Sequence, residues 1–526
     1  MSAQITQTTS FIGGRHVPSL ITYPNVDPAT GGILGDVSRG GADEVDRAVK
    51  AAARAQREWR KSSPEQRSRM LVATAAVITE HRDDLARLES EDTGKPLTQA
   101  YADVDVCARY FEFYGHTIES YYGHAIPMAD DMHVYTRREP YGVTGHIVAW
   151  NYPLQLIGRA AATSLATGNC AVAKPADETP RSTVRLAELI HSVGFPTGAF
   201  NVVTGLGAEA GAALAAHPGI AHLGFVGSTQ TGSSIAHAAA DRVIPTVLEL
   251  GGKSANIVFP DADIDAAMPS LLRSIIQNAG QTCSAGSRLL VHRDVHAEVV
   301  EKMAAAMGQV TIGYGLDDLM LGPLISAKQH DRVAGFLAEA GAGSPGAAGA
   351  VGSAGVGAGA GAGSGAGQIV TGAGSGAGQI VTGAGSGAGQ IVTGGTRPEG
   401  LADDLAAGAF ITPTLVDSVD PRSRIAQEEV FGPVVVTMPF GDEDEAVALA
   451  NGTDYGLVTA LWTKDISRAH RLAAEVEAGQ IFVNTYGAGG GVELPFGGFK
   501  KSGYGREKSI EALDEYTQTK TVAVKL

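Results

Sequence analysis

The stretch Cys170-Ala-Val-Ala-Lys-Pro-Ala-Asp-Glu-Thr-Pro180 decides the fold class of this chain of 526 residues. It begins as a short apolar run, passes through a polar turn that contains a proline, and leads into a helical pattern over residues 180–193. Short apolar runs followed by such turns are typical of buried strands. A strand, a loop and a crossover helix form the repeating unit of a parallel sheet.

The same alternation continues over residues 141–250. It predicts strands at 143–149, 170–173, 199–203, 223–226 and 243–248, with a further helix at 209–216. A second alternating region covers about 256–484. We therefore expect an α/β protein with parallel sheets and crossover helices.

The two ends of the chain have different patterns. Apolar residues at helical spacing predict helices within 42–124, at about 43–53, 64–88 and 96–122. The tail, 516–526, alternates β-branched and polar residues, which is typical of a strand. Because no neighbouring segment offers a partner strand, pairing with another subunit is a plausible expectation.

Composition excludes several classes of protein. The net charge of −16 argues against nucleic acid and anionic membranes as partners, and no apolar run is long enough to span a bilayer. The N-terminus has no pattern of a secretion signal. The three cysteines, Cys107, Cys170 and Cys283, suit a reducing cytoplasm rather than a disulfide framework. We expect a cytoplasmic protein.

Residues 341–395 are almost entirely Gly, Ala and Ser, and contain an 11-residue repeat that begins at Gly361, Gly372 and Gly383. The favoured interpretation is a duplication tolerated in a surface loop, since lengthening a loop costs little. A lid or a partner-binding flap is the alternative.

One cysteine stands apart from the other two. Asn278-Ala-Gly-Gln-Thr-Cys-Ser-Ala-Gly-Ser287 places Cys283 among small and polar residues, which predicts a bend with an accessible thiol. Cys107 and Cys170 fall in apolar helical and strand patterns, where a buried structural thiol is the expectation. A reactive thiol needs a base and an oxyanion donor nearby.

Five other motifs carry residue types suited to such a site. They are Trp150-Asn-Tyr-Pro153, Phe225-Val-Gly-Ser-Thr-Gln-Thr-Gly232, Leu248-Glu-Leu-Gly-Gly-Lys-Ser254, Glu428-Glu-Val-Phe-Gly-Pro433 and Pro495-Phe-Gly-Gly-Phe-Lys-Lys-Ser-Gly-Tyr-Gly-Arg-Glu507. Each motif alone is weak evidence for a particular function. Together with Cys283, and in this order, they resemble the NAD(P)-dependent aldehyde dehydrogenase superfamily over nearly the whole chain.

The resemblance implies a three-part fold. A Rossmann-type NAD-binding domain would comprise 1–123 and 141–250, and a catalytic α/β domain 251–509, with 341–395 as an insertion. Residues 124–140 and 510–526 would form a small β oligomerisation element. The resemblance also implies a homodimer or homotetramer, a small-molecule aldehyde as substrate, and no metal.

The resemblance also implies catalytic roles. Cys283 would attack the aldehyde, Asn151 would stabilise the oxyanion, and Glu249 would activate the water that releases the acid. Glu507 matches a carboxylate implicated in proton relay. A lysine that the family often has at the position of Ala160 is absent, which leaves the route of proton exit from Glu249 open.

NAD is the expected cofactor, with NADP less favoured. Asp177 keeps the charge of the glutamate found in NAD-preferring members, although its side chain is shorter. The other residues expected to contact the cofactor are Trp150, Lys174, Gly227, Ser228, Gly232, Leu250, Glu429 and Phe431.

Tyr152, Arg159, Thr282 and Ser284 fall where the family lines its aldehyde tunnel. Arg159 would bind an anionic group or a polar ring substituent of the substrate, which suggests a semialdehyde or a substituted aromatic aldehyde. The equal alternative is that Arg159 pairs with a carboxylate of the protein such as Glu493. Two rival functions are a CoA-acylating dehydrogenase and a catalytically inactive binding protein on the same scaffold. The presence of both Cys283 and Glu249 argues against each.

Overall fold

The computed structural model describes residues 7–341, 389–487 and 491–526. Most of the Gly/Ala-rich repeat, on which the loop interpretation depends, therefore lies outside the described residues. Helices and strands alternate along the rest of the chain, so the predicted α/β class is confirmed.

The larger of the two main sheets, the first sheet, has a parallel centre with antiparallel edges. Its strands in spatial order are Gly503–Tyr504, Thr246–Glu249, His222–Val226, Val143–Ile147, Cys170–Lys174, Phe200–Val202, Ser10–Ile12 and Arg15–Val17.

The strand order reverses beside Val143–Ile147. The chain first adds strands on one side of it and then returns to place His222–Val226 on the other side. Connections on either side of such a switch point leave a crevice at the carboxyl ends of the strands, where open α/β sheets bind ligands. The loops after these strands carry Asn151 and Gly227, and Thr246–Glu249 ends next to them.

The second sheet is also mainly parallel, with one antiparallel edge strand. Its strands in spatial order are Gln390–Thr393, Thr414–Asp417, Val434–Phe440, Arg288–His292, Ala255–Val258, Val458–Trp462 and Gln480–Val483. Each main sheet has its own core of buried aliphatic and aromatic side chains.

A third, small sheet contains the tail and corrects the expectation, drawn from the tail's pattern alone, that it pairs with another subunit. The tail strand Thr517–Lys525 pairs antiparallel along its whole length with Met132–Pro140 of the same chain, which in turn pairs with Ala125–Ile126. The tail therefore has a partner within its own chain. Most side chains of Thr517–Lys525 are exposed, so this strand forms an open edge.

The helices cover the sheets and follow local signals in the sequence. The first, Ala42–Trp59, buries residues at helical spacing such as Val45, Val49 and Ala52. The α-helices are Ala42–Trp59, Pro64–Glu80, Arg82–Thr93, Leu97–Thr117, Pro153–Ala166, Arg181–Ser192, Ala212–Ala216, Thr229–Ala240, Ile264–Ile276, His296–Met307, Ala327–Gly341, Arg424–Gln427, Glu443–Asn451, Ile466–Glu475 and Glu511–Glu515.

Several predicted boundaries were wrong. The helix predicted at 64–88 is two helices that meet at His81, whose backbone leaves the helical region. The strand predicted at 243–248 begins only at Thr246, because Val243 has a positive φ of 55° in a turn. The helix predicted at 209–216 begins as a wider π-type turn over Gly207–Gly211.

Candidate active site

A cavity of about 470 Å³ lies at the carboxyl ends of the strands that flank the switch point. Loops of the first sheet line one side, and segments that lead into the second sheet line the other. The cavity brings together most of the predicted site residues: Trp150, Asn151, Tyr152, Arg159, Gly227, Ser228, Glu249, Leu250, Thr282, Cys283, Ser284, Glu429 and Phe431.

The loop that carries Cys283 is a tight left-handed bend. Asn278, Ala279 and Gly280 have φ values of 49°, 53° and 70°. A Cβ atom at Gly280 would lie 2.1 Å from the carbonyl oxygen of Gly432, so only glycine fits there. The bend leaves the Cys283 side chain partly exposed to the cavity, as the sequence predicted.

Asn151 lies against this loop. Its side-chain Nδ2 donates to the carbonyl oxygen of Gln281 at 3.0 Å, and its Oδ1 has no hydrogen-bond partner among the described residues. An amide nitrogen carries two hydrogens, so the second N–H of Asn151 remains available to a ligand. The contact joins the cysteine loop to the end of the first sheet.

The backbone of Asn151 is held by two buried side chains. Lys95 Nζ donates to the Asn151 carbonyl oxygen at 2.9 Å, and Asn278 Nδ2 donates to the same oxygen at 2.8 Å. Lys95 is fully buried, forms an ion pair with Asp103, and lies 3.6 Å from Glu89. Because Lys95 is buried and paired, its hydrogen bond fixes the position of the Asn151 backbone.

Glu249 ends its strand and is 1% exposed. In the described part of the chain, neither of its oxygens meets an N–H or O–H donor, while the Cys283 thiol is close enough to interact with it. Burial, with Glu507 acting in the same direction and Arg159 opposing it, raises the pKa of Glu249 to about 8. Glu249 is therefore a base whose pKa lies near neutrality.

The Cys283 thiol is also protonated in its resting state. Burial raises its pKa well above the ordinary value, and the carboxylates of Glu249 and Glu429 add to the rise, while Arg159 opposes it. The thiol therefore needs a nearby base to become a nucleophile.

Arg159 is paired with a carboxylate, which was one of its two predicted roles, but the partner is Glu507 rather than Glu493. Both side chains are about 6% exposed, and Arg159 Nη2 contacts Glu507 Oε2. Glu493 instead accepts a hydrogen bond of 2.7 Å from Arg109 at the surface. The cationic charge of Arg159 is thus balanced within the protein.

The opposite end of the cavity has the features of a dinucleotide site. Ser228 caps the helix Thr229–Ala240 by accepting a hydrogen bond from the backbone N–H of Thr231 at 3.2 Å. The N-terminus of a helix favours phosphate groups. Lys328 and Arg332 also line the cavity and add positive charge.

Aromatic and acidic side chains lie between the two ends. Trp150 and Phe431 meet edge to face, with ring centroids 5.2 Å apart. Glu429 Oε1 accepts a hydrogen bond from the backbone N–H of Gly252 at 3.0 Å, and burial raises the pKa of Glu429 to about 7. These groups can bind a ribose and a flat ring near Cys283.

Four predicted site residues lie outside the cavity lining. Lys174 and Asp177 form an ion pair, and Asp177 Oδ2 also accepts a hydrogen bond from the Gly207 N–H at 3.2 Å. Gly232 packs under Leu250, where a Cβ atom would lie 2.4 Å from a methyl group. Glu507 lies behind Arg159.

Sequence reasoning missed two residues at the aldehyde end. Phe496 and Lys508 both line the cavity, and Lys508 Nζ lies 4.9 Å from the Phe496 ring centroid. Both belong to or directly follow the motif that ends at Glu507. Their position in that motif is the signal by which they could have been found.

The first sheet with its switch point and the thiol–carboxylate–amide cavity together define a class of nucleotide-dependent oxidoreductases. The sequence profile of the aldehyde dehydrogenase family matches residues 17–365 and 368–522. The chain belongs to this family, and it is an aldehyde-oxidising enzyme that uses a nicotinamide dinucleotide.

Individual relatives agree with this assignment. Hydroxyisobutyraldehyde dehydrogenase of Mycolicibacterium austroafricanum is 36% identical over 98% of this chain and 93% of its own length. A provisionally named aldehyde dehydrogenase of Burkholderia cenocepacia is 45% identical, with a TM-score of 0.87 over 98% of this chain and all of the other. Betaine aldehyde dehydrogenase of Staphylococcus aureus, solved with NAD+, is 34% identical, with a TM-score of 0.87 over 98% and 95% of the two chains.

Neither a membrane-spanning helix nor a metal-binding cluster occurs among the described residues. No helix there is long and apolar enough to cross a membrane. No group of three or more His, Cys, Asp or Glu side chains there is arranged to hold a metal ion.

Proposed function

We propose that this enzyme oxidises an aldehyde to a carboxylic acid through an acyl intermediate on Cys283, which is hydrolysed by water that Glu249 activates. The observation that carries this proposal is the meeting of Cys283, Glu249 and Asn151 in one cavity, from three distant segments of the chain. The carboxylate oxygens of Glu249 can accept protons from reacting groups, because the described residues supply them with no N–H or O–H donor.

In the first half of the reaction the Cys283 thiol gives its proton to Glu249 and attacks the aldehyde carbon. The oxygen that becomes negatively charged accepts hydrogen bonds from the second N–H of Asn151 and the backbone N–H of Cys283. A donor of this kind lowers the barrier by about 3–4 kcal/mol. Lys95 supports the step by fixing the Asn151 backbone.

A bound NAD supplies the hydride acceptor. The residues proposed to hold it are Trp150, Lys174, Asp177, Gly227, Ser228, Gly232, Leu250, Glu429 and Phe431. We propose NAD over NADP because Asp177 is a fixed carboxylate beside Lys174, and it would repel a 2′-phosphate.

Before the second half, Glu249 releases to solvent the proton that it took from Cys283. Water then attacks the thioester carbon and Glu249 takes the proton of that water. The C–S bond breaks, which releases the acid, and the proton of the acid restores the Cys283 thiol. Glu249 must be deprotonated for this step, so the rate of hydrolysis rises with pH through about 8. Glu507 acts indirectly, by holding Arg159 beside the site.

For the substrate, we propose an aldehyde with an uncharged tail, such as a substituted aromatic aldehyde. Glu507 already balances Arg159, so a carboxylate semialdehyde would find no uncompensated charge from that residue. Tyr152, Leu156 and Phe496 line this end of the cavity and offer apolar contacts.

We further propose a homodimer or homotetramer in the cytoplasm. The open edge of Thr517–Lys525 supports self-association, since an exposed strand edge pairs readily with another chain. The free thiols of Cys107, Cys170 and Cys283 support a reducing compartment.

Alkylation tests the role of Cys283 directly. Cys107 and Cys170 are buried, whereas Cys283 is partly exposed to the cavity, so iodoacetamide should modify Cys283 alone, at one group per subunit by mass spectrometry. The extent of modification should equal the loss of aldehyde-dependent NADH formation, without any requirement for CoA. Full activity after complete modification, or a strict need for CoA, would contradict the proposal.

A further inference from the structure

Lys508 lines the aldehyde end of the same cavity as Cys283 and Glu249. Lys508 is 4% exposed, and its ammonium group lies 4.9 Å from the centroid of the Phe496 ring. Lysine is rarely buried in proteins, and a buried one in a reaction cavity is a candidate for proton transfer.

The backbone around Lys508 is held in an unusual conformation. Lys508 and Ser509 have positive φ values of 66° and 56°, a region that costs a residue with a Cβ atom about 1–2 kcal/mol. The bend is fixed from both sides: Phe496 and Glu507 exchange two backbone hydrogen bonds of 2.7 Å, and the Ser509 N–H donates to Val492 at 2.8 Å. Such retained strain is characteristic of functional sites.

Four titratable groups act on Lys508, and they come from four different segments. Burial and the charge of Arg159 lower its pKa to about 7, against the opposing effects of Glu507, Glu249 and Cys283. Lys508 and Glu249 therefore hold protons with similar strength, because the pKa of Glu249 is about 8. A proton transfer from Glu249 to Lys508 therefore has only a small energetic cost.

The other neighbours are less suited to take a proton from Glu249. Burial lowers the pKa of Arg159, but Glu507 and Tyr110 together raise it above its ordinary value, so Arg159 stays charged and cannot accept a proton. Glu507 is engaged in the ion pair with Arg159. Cys283 is acylated at the stage when Glu249 needs to lose its proton.

We propose that Lys508 accepts the proton that Glu249 removes from the hydrolytic water and passes it to solvent. This inference rests on the proposed function of Cys283 and Glu249. In the step, neutral Lys508 becomes an ammonium ion as Glu249 returns to a carboxylate. The ammonium ion then loses the proton to water in the cavity, and no net charge is created.

The experiment uses p-nitrophenyl acetate as the probe with the full-length enzyme. Attack by Cys283 releases p-nitrophenolate in a burst and leaves an acetyl group on the thiol, and hydrolysis of that thioester sets the later steady rate. The same acetyl enzyme arises from acetaldehyde with NAD, so both probes should give the same hydrolysis rate.

Three variants separate proton transfer from charge and from folding. Lys508→Met and Lys508→Arg should keep the burst and lower the steady rate about 10- to 100-fold, because neither side chain can accept a proton. Lys501→Met is the matched control, since Lys501 is an exposed lysine that pairs with Asp454 at 2.6 Å. A normal steady rate in Lys508→Met, or its recovery in Lys508→Arg, would overturn the proposal.

The wild-type enzyme provides a test that needs no variant. If Glu249 and Lys508 must both be unprotonated, the logarithm of the steady rate should rise with pH below 7 at a slope that approaches two, and a slope of one would overturn the proposal. Lys508→Met should show a slope of one. Absence of the burst in the wild type would instead overturn the function proposed for Cys283.

Discussion

Arg159 and Glu507 form a buried ion pair at the wall of the candidate active site, where Arg159 lines the cavity and Glu507 lies behind it. The two residues lie on the helix Pro153–Ala166 and near the C-terminus, so the pair links the amide-bearing loop of the first sheet to the segment that carries Lys508. It also explains why an arginine in an aldehyde tunnel need not select an anionic substrate.

Replacement of Arg159 by Met should therefore affect charged and uncharged substrates alike. We expect kcat/KM for 4-oxobutanoate and for butanal to fall by the same factor. The free energy of unfolding should fall by about 3–5 kcal/mol, because Glu507 is left buried without its partner. The double variant Arg159→Met/Glu507→Gln should recover part of that stability, and a loss confined to 4-oxobutanoate would show that Arg159 binds the substrate anion.

Asn151→Ala should lower kcat about 100- to 1000-fold with little change in KM. The reason is that its second N–H contacts the oxygen only once negative charge develops there. Steady-state kinetics with NADH absorbance measure both constants. Asn451→Ala, which removes a distant hydrogen bond to Glu475, is the control. An equal effect of the two substitutions would remove Asn151 from the catalytic step.

Asp177→Asn should raise kcat/KM for NADP relative to NAD by about 10-fold, which corresponds to about 1.4 kcal/mol. The substitution removes the negative charge but keeps the size of the side chain. Glu209→Gln, on the neighbouring turn and paired with Arg39, should leave the ratio unchanged. If the ratio does not move in Asp177→Asn, the carboxylate does not select the cofactor.

His146 and His222 should make the fold sensitive to acid. Burial lowers both pKa values to about 3, and no ring nitrogen of His222 has a partner among the described residues. Below pH 6.5 the unfolded chain binds protons that the folded chain cannot, so each histidine removes about 1.4 kcal/mol of stability per pH unit.

Urea unfolding at pH 7.5, 6.0 and 5.0 measures this loss. His222→Phe, which keeps an aromatic ring beside Tyr141 and Tyr516, should be less sensitive to acid than the wild type. The control variant His133→Phe replaces an exposed ring. Its free energy of unfolding should change with pH as steeply as that of the wild type. If the free energy of unfolding falls equally with pH in all three proteins, His222 is not a source of the acid sensitivity.

The sequence allowed the prediction of those features that depend on local order along the chain. Parallel strands with short loops place Asn151 and Glu249 at the same edge of a sheet, and small residues around Cys283 indicate a bend. The end of the helix at His81 could not be foreseen, because no glycine or proline marks it.

Contacts between side chains of distant segments could not be predicted from the local sequence pattern either. The partner of Arg159 depends on how the C-terminal segment returns to the first sheet, and spacing along the chain does not encode that path. The same holds for Lys508, which reaches the cavity only through the left-handed turn after Glu507. The pairing of the tail with Met132–Pro140 could be expected only from the family resemblance, which groups 124–140 and 510–526 in one small β element.

The most direct test of the central claim is a rapid-mixing measurement on Glu249→Gln with NAD and acetaldehyde. We predict that NADH forms to about one per subunit, but more slowly than in the wild type, because glutamine cannot accept the Cys283 proton. The later steady rate should lie at least about 100-fold below that of the wild type, because the acyl enzyme is not hydrolysed. Cys283→Ala should give no NADH, and Glu493→Gln should behave as the wild type. Wild-type turnover in Glu249→Gln would contradict the assignment of Glu249 as the base that releases the acid from Cys283.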